Sequence, residues 1–492
     1  MNAVVLLIAV MIPLIGGFIL FAGKDWNYKK LQIVSEVLVV ATSLLVGCII
    51  LHRPEGEFLF FQLTGNLRII LKLDGLGCVF AGLVAFLWPF ANLYAFEYMA
   101  HDEKRRQTFF GFYTMTYGVT LGIAFAGNIL TMYFFYEMLT LVTGYLVMHP
   151  MHKKAIRASR MYLYYSLGGA AFAFLSIIYL TIFGDTSQFV LGGMLDMQKI
   201  AAHPNWGLIM FLFAFCGFGV KAALFPFHSW LPRASVAPTP VTALLHAVAV
   251  VKSGAFAIIR TIYYSYGVDF LRGTWAQSVV MVLAMATILY ASTMAVKEIH
   301  LKRRLAYSTI SNLSYILLGA SMMTPAGMIG AICHLVMHAV MKICGFFCVG
   351  AVMHQTGKNY ISEIDGLGRK MPVIFGCFTV AAVSLTGIPP FGGFISKWHL
   401  AISALGSEHP LGFAAMGVLL YSAFMTAIYM GTLLFKAWFP PKEAVLQISE
   451  KDKDPGWRMK LPIILFACMI FGLGICAKPV LEVIKTVVYG GF

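Results

Sequence analysis

Long apolar runs separated by short polar connections extend along nearly the whole chain. One helical crossing of a bilayer needs about 20 mostly apolar residues. On that measure we predict fourteen spans, near residues 3–22, 31–51, 75–98, 108–127, 129–149, 160–182, 206–225, 239–262, 276–296, 304–322, 327–353, 372–402, 411–436 and 461–483. The chain is therefore predicted to be an all-α integral membrane protein with about 14 transmembrane helices.

Two connections are longer than the others. Residues 54–72 alternate apolar and polar positions around Phe58, Phe60 and Leu63 and contain a Thr-Gly-Asn turn, a pattern typical of a surface hairpin. Residues 437–460 are charged and rich in proline, and they are predicted to form a linker before the last span.

The composition narrows the class of protein. With 60% hydrophobic and 12% charged residues, the chain is excluded from the soluble globular class. Its net charge of +15 does not indicate nucleic-acid binding, because the basic residues lie between apolar runs and no nucleic-acid motif is present. The nine cysteines form no C-x-x-C motif, which disfavours disulfides and zinc or iron–sulfur sites. We therefore predict no metal ligand and no cofactor-binding residue in this chain.

Positive charge is distributed unevenly between the connections. Most of the 36 lysines and arginines lie in the odd-numbered connections. Because basic connections stay in the cytoplasm, these are predicted to be cytoplasmic and both termini to lie outside. The first apolar run lacks a small-residue cleavage site and is predicted to be a retained span. The expected location is a prokaryotic-type inner membrane.

Two spans are predicted to be broken by proline. Pro226 cannot donate a hydrogen bond to the carbonyl of Ala222, so span 7 should break one turn beyond Lys221. Span 12 contains Pro389 and Pro390 between glycines. Broken backbone at membrane depth is tolerated only where it packs in protein or lines a wet cavity. Both breaks are therefore predicted to border an ion path.

The second half of the chain repeats features of the first. Lys397 lies beside the break in span 12, as Lys221 lies beside the break in span 7. An offset of five spans, an odd number, inverts the second unit in the membrane, as in inverted-repeat transporters. We predict N-terminal helices 1–3 with an external hairpin in residues 1–107, inverted repeats in 108–262 (spans 4–8) and 263–436 (spans 9–13), and a linker with the last helix in 437–492.

Ionisable residues within spans mark polar paths by default, because an unpaired charge there costs about 2.5–3.5 kcal/mol or more. Glu137 in span 5 and Lys221 are predicted to form a pair that acts as a proton switch. Proximity favours the charged form of both groups, and separation favours release of the lysine proton. The alternative is that Glu137 only ties helices together.

Span 11 carries His334, His338 and Lys342 at four-residue spacing, and so on one helix face. Imidazole exchanges protons near neutral pH, which favours a hydrated proton relay. A packing role is one alternative. A metal site is another, but no nearby carboxylate or thiolate completes it.

Span 8 carries His246 and Lys252, whose separation of six does not align them on a regular helix. A local irregularity at Ser253 or Gly254 would bring both to the same channel. Lys397 is predicted to end the path, with a lysine snorkelling from a helix end as the alternative.

Three further polar residues lie near the ends of spans. Asp74 is predicted to be only a helix N-terminal residue. His228 and Arg233 lie on the cytoplasmic side of the first break, and they are candidates for proton uptake or for a coupling contact.

Several of these residues stand in motifs that resemble a known family. The motifs are Lys221-Ala-Ala-Leu-Phe-Pro-Phe-His-Ser-Trp-Leu-Pro, Pro238-Thr-Pro-Val-Thr-Ala-Leu-Leu-His246, Val251-Lys252-Ser-Gly, Ala306-Tyr-Ser-Thr-Ile-Ser311, His338-Ala-Val-Met-Lys342, Gly387-Ile-Pro-Pro-Phe and Phe394-Ile-Ser-Lys397. From about residue 74 to 397 the chain resembles the antiporter-like subunits of respiratory complex I, Mrp-type cation/proton antiporters and membrane-bound group 4 NiFe hydrogenases. It has Arg233 where that family usually has an acidic residue.

The resemblance implies roles for the candidate residues. Glu137 and Lys221 would form the first-half pair, Lys252 and the His334–Lys342 face the central link, and Lys397 the end of the second half-channel. It also implies partners: related antiporter-like subunits, other membrane subunits and a peripheral redox arm. Any iron–sulfur, NiFe or flavin group would belong to those partners.

Three functional hypotheses remain open. The first is a proton-translocating subunit of a redox-driven complex or a Mrp-type antiporter; proton is favoured over sodium because the path is poor in oxygen ligands. The second is a free-standing cation/proton or solute transporter. The third is a structural membrane subunit without its own ion path. The sequence assigns no catalytic redox site to the chain itself.

Overall fold

The computed structural model describes residues 2–23, 26–65, 67–441 and 452–491. In chain order its elements are α1 (Val4–Ala22), α2 (Tyr28–His52), β1 (Glu57–Thr64), β2 (Leu67–Lys72), α3 (Gly75–Tyr98), α4 (Arg106–Ala124), α5 (Ile129–Met148), α6 (Lys153–Phe183), α7 (Met197–Ile200), α8 (Pro204–Lys221), α9 (Trp230–Ala234), α10 (Thr239–Ala247), α11 (Val250–Arg260), α12 (Val268–Leu271), α13 (Trp275–Lys297), α14 (Leu301–Ser321), α15 (Pro325–Thr356), α16 (Leu367–Lys370), α17 (Pro372–Thr386), α18 (Gly392–Leu405), α19 (Gly412–Trp438), α20 (Trp457–Ile475) and α21 (Ala477–Val488). A 3-10 turn precedes α9, a second precedes α16, and a π-helical segment, Thr261–Tyr266, follows α11.

The helices follow the predicted spans closely. Eleven helical segments in the described ranges are long and apolar enough to cross a membrane, so the chain is a multi-pass membrane protein. Predicted spans 4, 10 and 12 correspond to α4, α14 and the α17–α18 pair, which fall outside that set. α4 and α14 are richer in polar residues, and α17 and α18 are short. The count of fourteen, the inverted repeats and the domain limits stay predictions.

The predicted hairpin is confirmed. β1 and β2 pair antiparallel, with Glu57 opposite Lys72. The hairpin is held against the turn between α4 and α5 and against the start of α5, because Gly127 N donates to Ile70 O (3.0 Å) and Ile70 N donates to Thr131 Oγ1 of α5 (2.8 Å). It therefore covers one end of the first group of helices.

The centre of the molecule is α15. All of its residues from Gly327 to Val352 are buried, and the helix packs against α10, α14, α17, α18 and α20. Close approach depends on small residues: a Cβ added at Gly350 would lie 2.2 Å from Thr239 Cγ2 of α10. Consequently α15 carries its polar side chains through the interior, away from lipid.

Both predicted breaks are confirmed, although the first lies earlier than expected. α8 ends at Lys221 itself, not one turn beyond it. There Ala223 takes a positive φ of 57°, and Leu224 N donates back to Gly219 O (2.9 Å), which closes the helix before the proline is reached. The second break separates α17 from α18 at residues 387–391.

Span 8 is also broken, which the sequence did not predict. The interruption lies at Val248 and Ala249, between α10 and α11. The irregularity expected at Ser253 or Gly254 is therefore wrong in position. Gly254 lies inside α11, where an added Cβ would be 2.5 Å from Ala222 N, so this glycine lets α11 pack against the first break.

The last predicted span, 461–483, is divided into two helices. α20 ends at Ile475 and α21 begins at Ala477. Pro479 favours this division, because its ring clashes with the carbonyl four residues earlier and it has no N–H to donate. α21 buries Ile484 and Val487 and exposes Lys478.

Candidate functional site

The first polar pair of the interior joins α5 to the end of α8. Lys221 is fully buried, and its Nζ lies 3.6 Å from Glu137 Oε1. The amine also donates to Tyr136 O and lies 3.3 Å from the centre of the Tyr136 ring. The Glu137 side chain is 20% exposed, so the pair connects the interior to an outer face of the subunit.

The second contact joins α11 to α15. Lys252 Nζ lies 2.5 Å from His338 Nδ1, and both residues are fully buried. The His338 ring stacks on His334 one turn away, with ring centres 5.6 Å apart and planes 19° apart. Three titratable side chains from two helices therefore form one continuous contact in the core.

A third contact extends this row of side chains, Lys252, His338 and His334, to the second break. We call the row the polar line. His334 Nδ1 lies 2.9 Å from Ser396 Oγ of α18. The Tyr315 ring is 5.4 Å from the His334 ring and 5.3 Å from Lys397 Nζ. Lys397 itself donates to the carbonyls of Leu385 (2.6 Å) and Thr386 (3.2 Å), at the end of α17. A cation is favourable at a helix C-terminus, so the break holds the Lys397 amine.

Lys342 and His246 form a side branch of the line. Lys342 Nζ donates to Ser308 Oγ (2.6 Å) and Leu305 O (3.3 Å) of α14. His246 packs against Phe346, one turn beyond Lys342, with ring centres 4.8 Å apart. The break at Val248 and Ala249 places His246 and Lys252 on two different helices, α10 and α11. The prediction that both residues reach the same channel stays a prediction.

Several polar atoms on this line have no hydrogen-bond partner among the described residues. They are Glu137 Oε1, His246 Nδ1, His334 Nε2 and His338 Nε2. Buried polar atoms are normally paired, and each exception calls for an explanation. Here each of these atoms belongs to a titratable group, and Glu137 Oε1 lies in an ion pair with Lys221.

The two breaks are exposed where the prolines lie. Pro226, Pro389 and Pro390 are exposed on the surface of the chain. His228 is buried and packs against Tyr290 at 4.6 Å, whereas Arg233 is exposed and reaches Met161 Sδ at 2.9 Å. The contacts described for His228 and Arg233 do not include the Glu137–Lys221 pair, and their uptake or coupling role stays a prediction.

An ion pair at the other end of α11 was not predicted from the sequence. Asp74 caps α3 as expected, accepting from Gly77 N at 2.8 Å. Its carboxylate also receives both terminal nitrogens of the fully buried Arg260, one of them at 2.6 Å. The sequence did contain a sign of this ion pair: Arg260 lies inside an apolar, aromatic stretch, and a charge inside a membrane requires a counter-charge.

A second missed residue is Glu36 in α2. Its Oε2 accepts from Asn92 Nδ2 at 2.9 Å, and Asn92 in turn donates to Ser35 Oγ at 3.1 Å. A single acidic residue inside an apolar run was the available signal. This group of three lies apart from α15 and is not part of the line.

No group of three or more His, Cys, Asp or Glu side chains in the described ranges could hold a metal ion. The expectation that redox groups belong to partner subunits is not tested by this and stays a prediction.

The chain matches a family model and is similar to known proteins. Residues 126–426 match the family described as NADH:quinone oxidoreductase/Mrp antiporter, TM. The chain is 29% identical over 487 residues to NADH-quinone oxidoreductase subunit N of Desulforudis audaxviator, covering 96% of this chain and 91% of that subunit.

Two solved structures share the fold. A chain of the Mrp complex from Dietzia sp. DQ12-45-1b superposes with a TM-score of 0.85 at 19% identity, covering 99% of this chain and 96% of that one. A chain of the membrane-bound sulfane sulfur reductase, an archaeal respiratory membrane complex, gives 0.84 at 20% identity, with 99% and 97% coverage.

Proposed function

This chain belongs to the NADH:quinone oxidoreductase/Mrp antiporter family and is an antiporter-like membrane subunit; from that premise we propose that it moves protons across the membrane within a larger complex. The proposed path runs from Glu137 and Lys221 through Lys252 and the α15 histidines to Lys397. The observation that carries the proposal is the 2.5 Å contact between Lys252 Nζ and His338 Nδ1 inside an apolar core.

The Glu137–Lys221 pair supplies the switch in this proposal. While the pair is closed, the carboxylate stabilises the ammonium form of Lys221. When the pair opens, the buried amine loses its counter-charge, and release of its proton becomes favourable. At 3.6 Å the two groups are close enough to interact strongly and far enough apart to separate without breaking a short hydrogen bond.

The Lys252–His338 contact supplies the transfer step. The ammonium of Lys252 donates to Nδ1 of a neutral His338; when the proton crosses, Lys252 becomes a neutral amine and His338 an imidazolium. His338 can then release the proton from Nε2, which has no partner among the described residues. The stacked His334 ring and Ser396 continue the route toward Lys397.

Replacing Lys252 with methionine tests the proposal. Lys252→Met keeps the volume of the side chain and removes the amine, so we expect proton movement per turnover to fall about tenfold or more, as for loss of a positioned acid–base group. The measurement is dye-detected acidification of vesicles that contain the assembled complex. Lys199→Met, at an exposed lysine paired with Asp196, is the control and should behave like wild type.

If the Lys252→Met variant moves protons normally in an assembled complex, Lys252 and the α15 histidines only support the structure, and the proposal fails. Purification in mild detergent with mass analysis of the co-purifying subunits identifies the partners. Redox subunits among them would support the proposed electron-driven complex, in which any iron–sulfur, NiFe or flavin group belongs to a partner.

A free-standing cation/proton exchanger is the second candidate, and the word antiporter in the description of the family favours ion exchange. It predicts that the chain alone, placed in vesicles, exchanges protons for sodium or potassium. Exchange that appears only with the assembled partners supports the subunit proposal instead.

A further inference from the structure

A cleft of about 530 Å³ opens at the surface between the start of α6, the end of α9 and the start of α14. These ends belong to connections that the charge distribution predicts to be cytoplasmic. The basic side chains that line the cleft are His152, Lys154, Arg157, Arg233, His300 and Arg303. No carboxylate from the described part of the chain lines it. The cleft is therefore strongly electropositive.

Most of the positive charge in this cleft has no counter-charge. Arg303 pairs with Glu298 at 3.0 Å. The ion pairs of the described residues leave out Lys154, Arg157 and Arg233. The buried Nδ1 atom of His300 likewise has no hydrogen-bond partner among the residues that the structure describes. The cleft thus offers three cations that an anion can neutralise.

Two long helices begin at the cleft with basic first turns. α6 starts at Lys153 and α14 at Leu301, and neither has an acidic residue in its first turn. The N-terminus of a helix is partly positive, so cations are unfavourable there and an anion is favourable. Retention of basic connections in the cytoplasm explains why these connections carry lysine and arginine. It does not explain why the cations face one concave space without a carboxylate.

An exposed apolar face of α6 leads away from the cleft. Arg157 lines the cleft from the second turn of the helix. Helical spacing places four exposed residues on the same face further along α6, namely Tyr164, Leu167, Leu175 and Ile178. In a membrane this face meets the acyl chains of lipids. A cationic cleft at the end of a lipid-facing stripe has the arrangement of a phospholipid, whose charged headgroup adjoins its apolar tails.

We propose that the cleft binds the phosphate headgroup of an anionic phospholipid, whose acyl chains lie along α6. Arg157 and Arg233 supply guanidinium groups, which can each donate two parallel hydrogen bonds to a phosphate, and Lys154 adds a point charge. Basic pockets between membrane helices on the cytoplasmic side are suited to anionic headgroups. An acidic segment of a partner protein would account for the cations but not for the apolar stripe. The inference does not depend on the proton path, because these residues lie outside the polar line.

Photoreactive lipids test the proposal at the position of the site. The assembled complex is placed in nanodiscs that contain a trace of phosphatidylglycerol with a photoreactive acyl chain, and the labelled peptides of this chain are identified by mass analysis. Phosphatidylcholine with the same photoreactive chain is the neutral probe. We expect the phosphatidylglycerol probe to label α6 about tenfold more than the neutral probe. Equal labelling by the two probes would overturn the lipid assignment.

The double variant Arg157→Gln/Arg233→Gln removes two cations from the cleft at exposed positions. Labelling of α6 by phosphatidylglycerol should fall to the level of the neutral probe. Arg369→Gln/Lys370→Gln is the matched control, because it removes the same charge from exposed positions in another connection predicted to be cytoplasmic. It should be labelled like wild type. An equal fall in both double variants would mean that the overall charge attracts the lipid, and the site would be wrong.

The subunits that co-purify with each variant are identified in the same samples. If the Arg157→Gln/Arg233→Gln complex lacks a subunit that the control retains, the cleft holds an acidic segment of that partner and the lipid proposal fails. Arg233→Glu covers the case in which the double variant does not assemble, since it reverses a single charge at an exposed side chain. We expect its preference for phosphatidylglycerol to fall several-fold. An unchanged preference would count against the cleft as the lipid site.

Discussion

Arg260 lies fully buried at the end of α11, and its guanidinium is surrounded by aromatic rings and one carboxylate. The rings of Phe189 and Tyr264 lie 4.8 and 4.7 Å from it. Asp74 receives both terminal nitrogens of the guanidinium, one at 2.6 Å. Because the arginine cannot lose its charge, this pair must remain intact while the lysines of the interior can become neutral.

Asp74→Asn tests whether the Arg260–Asp74 pair must remain intact for the protein to be stable. The variant leaves a buried positive charge without its counter-charge, which costs about 3–5 kcal/mol in buried pairs. We expect a clear fall in the thermal unfolding midpoint of the purified complex. The control is Glu408→Gln at the exposed Arg272–Glu408 pair, where 89% of the Glu408 side chain is accessible and little change is expected. Equal shifts of the unfolding midpoint in the two variants would contradict a special requirement for the buried pair.

At the scale of elements, the broken helices are held by glycines that allow backbone to touch backbone. Gly254 of α11 packs on Ala222 at the first break, and Gly474 of α20 packs on Pro390 at the second. The Gly474 contact lies on the segment between α17 and α18, next to the end of α17 whose carbonyls accept from Lys397. Exposed backbone at a break is costly in lipid, which explains why other helices pack so closely there.

Gly474→Ala should disturb the second break. The added Cβ would lie 1.8 Å from Pro390 O, so α20 or the break must move. We expect a loss of about 1–3 kcal/mol in stability, typical of overpacking, and a several-fold loss of proton movement as the site of Lys397 shifts. Thermal unfolding and vesicle acidification measure the two effects.

Gly472→Ala is the matched control, since it lies in the same helix and nothing lies within 4 Å of its added Cβ. It should leave both quantities unchanged. A Gly474→Ala protein as active and stable as Gly472→Ala would show that the packing of α20 does not set the geometry of the break.

At the scale of the whole molecule, the proposed path begins at Glu137, which is partly exposed, and ends at Lys397, which is half-buried. Both ends therefore reach faces that a neighbouring subunit can cover. The solved relatives with this fold are parts of membrane complexes. The charge distribution predicts the orientation of the bundle, with the odd-numbered connections on the cytoplasmic side.

Reporter fusions test that orientation. We expect alkaline phosphatase to be active and green fluorescent protein to be dark when either is fused to the C-terminus, because that end is predicted to lie outside. An insertion beside Lys358, in a connection predicted to be cytoplasmic, should give the opposite pattern. A fluorescent C-terminal fusion would invert the predicted orientation.

The sequence by itself predicted the apolar spans, the two helix breaks, the hairpin and the buried ionisable residues that we propose for the site. Each of these depends on local properties: the length of an apolar run sets a crossing, a proline such as Pro389 disfavours a continuous helix, and buried charge is costly wherever its partner lies. Glu137, Lys221 and Lys252 could therefore be identified without knowing what they touch.

Only the tertiary structure decided which of these groups meet. Lys252 contacts His338, and Arg260 pairs with Asp74, although the members of each pair lie far apart in the chain. Lys302 likewise lines a cavity together with residues from distant parts of the chain. The break between α10 and α11 has no proline to mark it and depends on packing against neighbouring helices. Such pairings arise from how helices pack, which a one-dimensional pattern of apolar and polar residues does not contain.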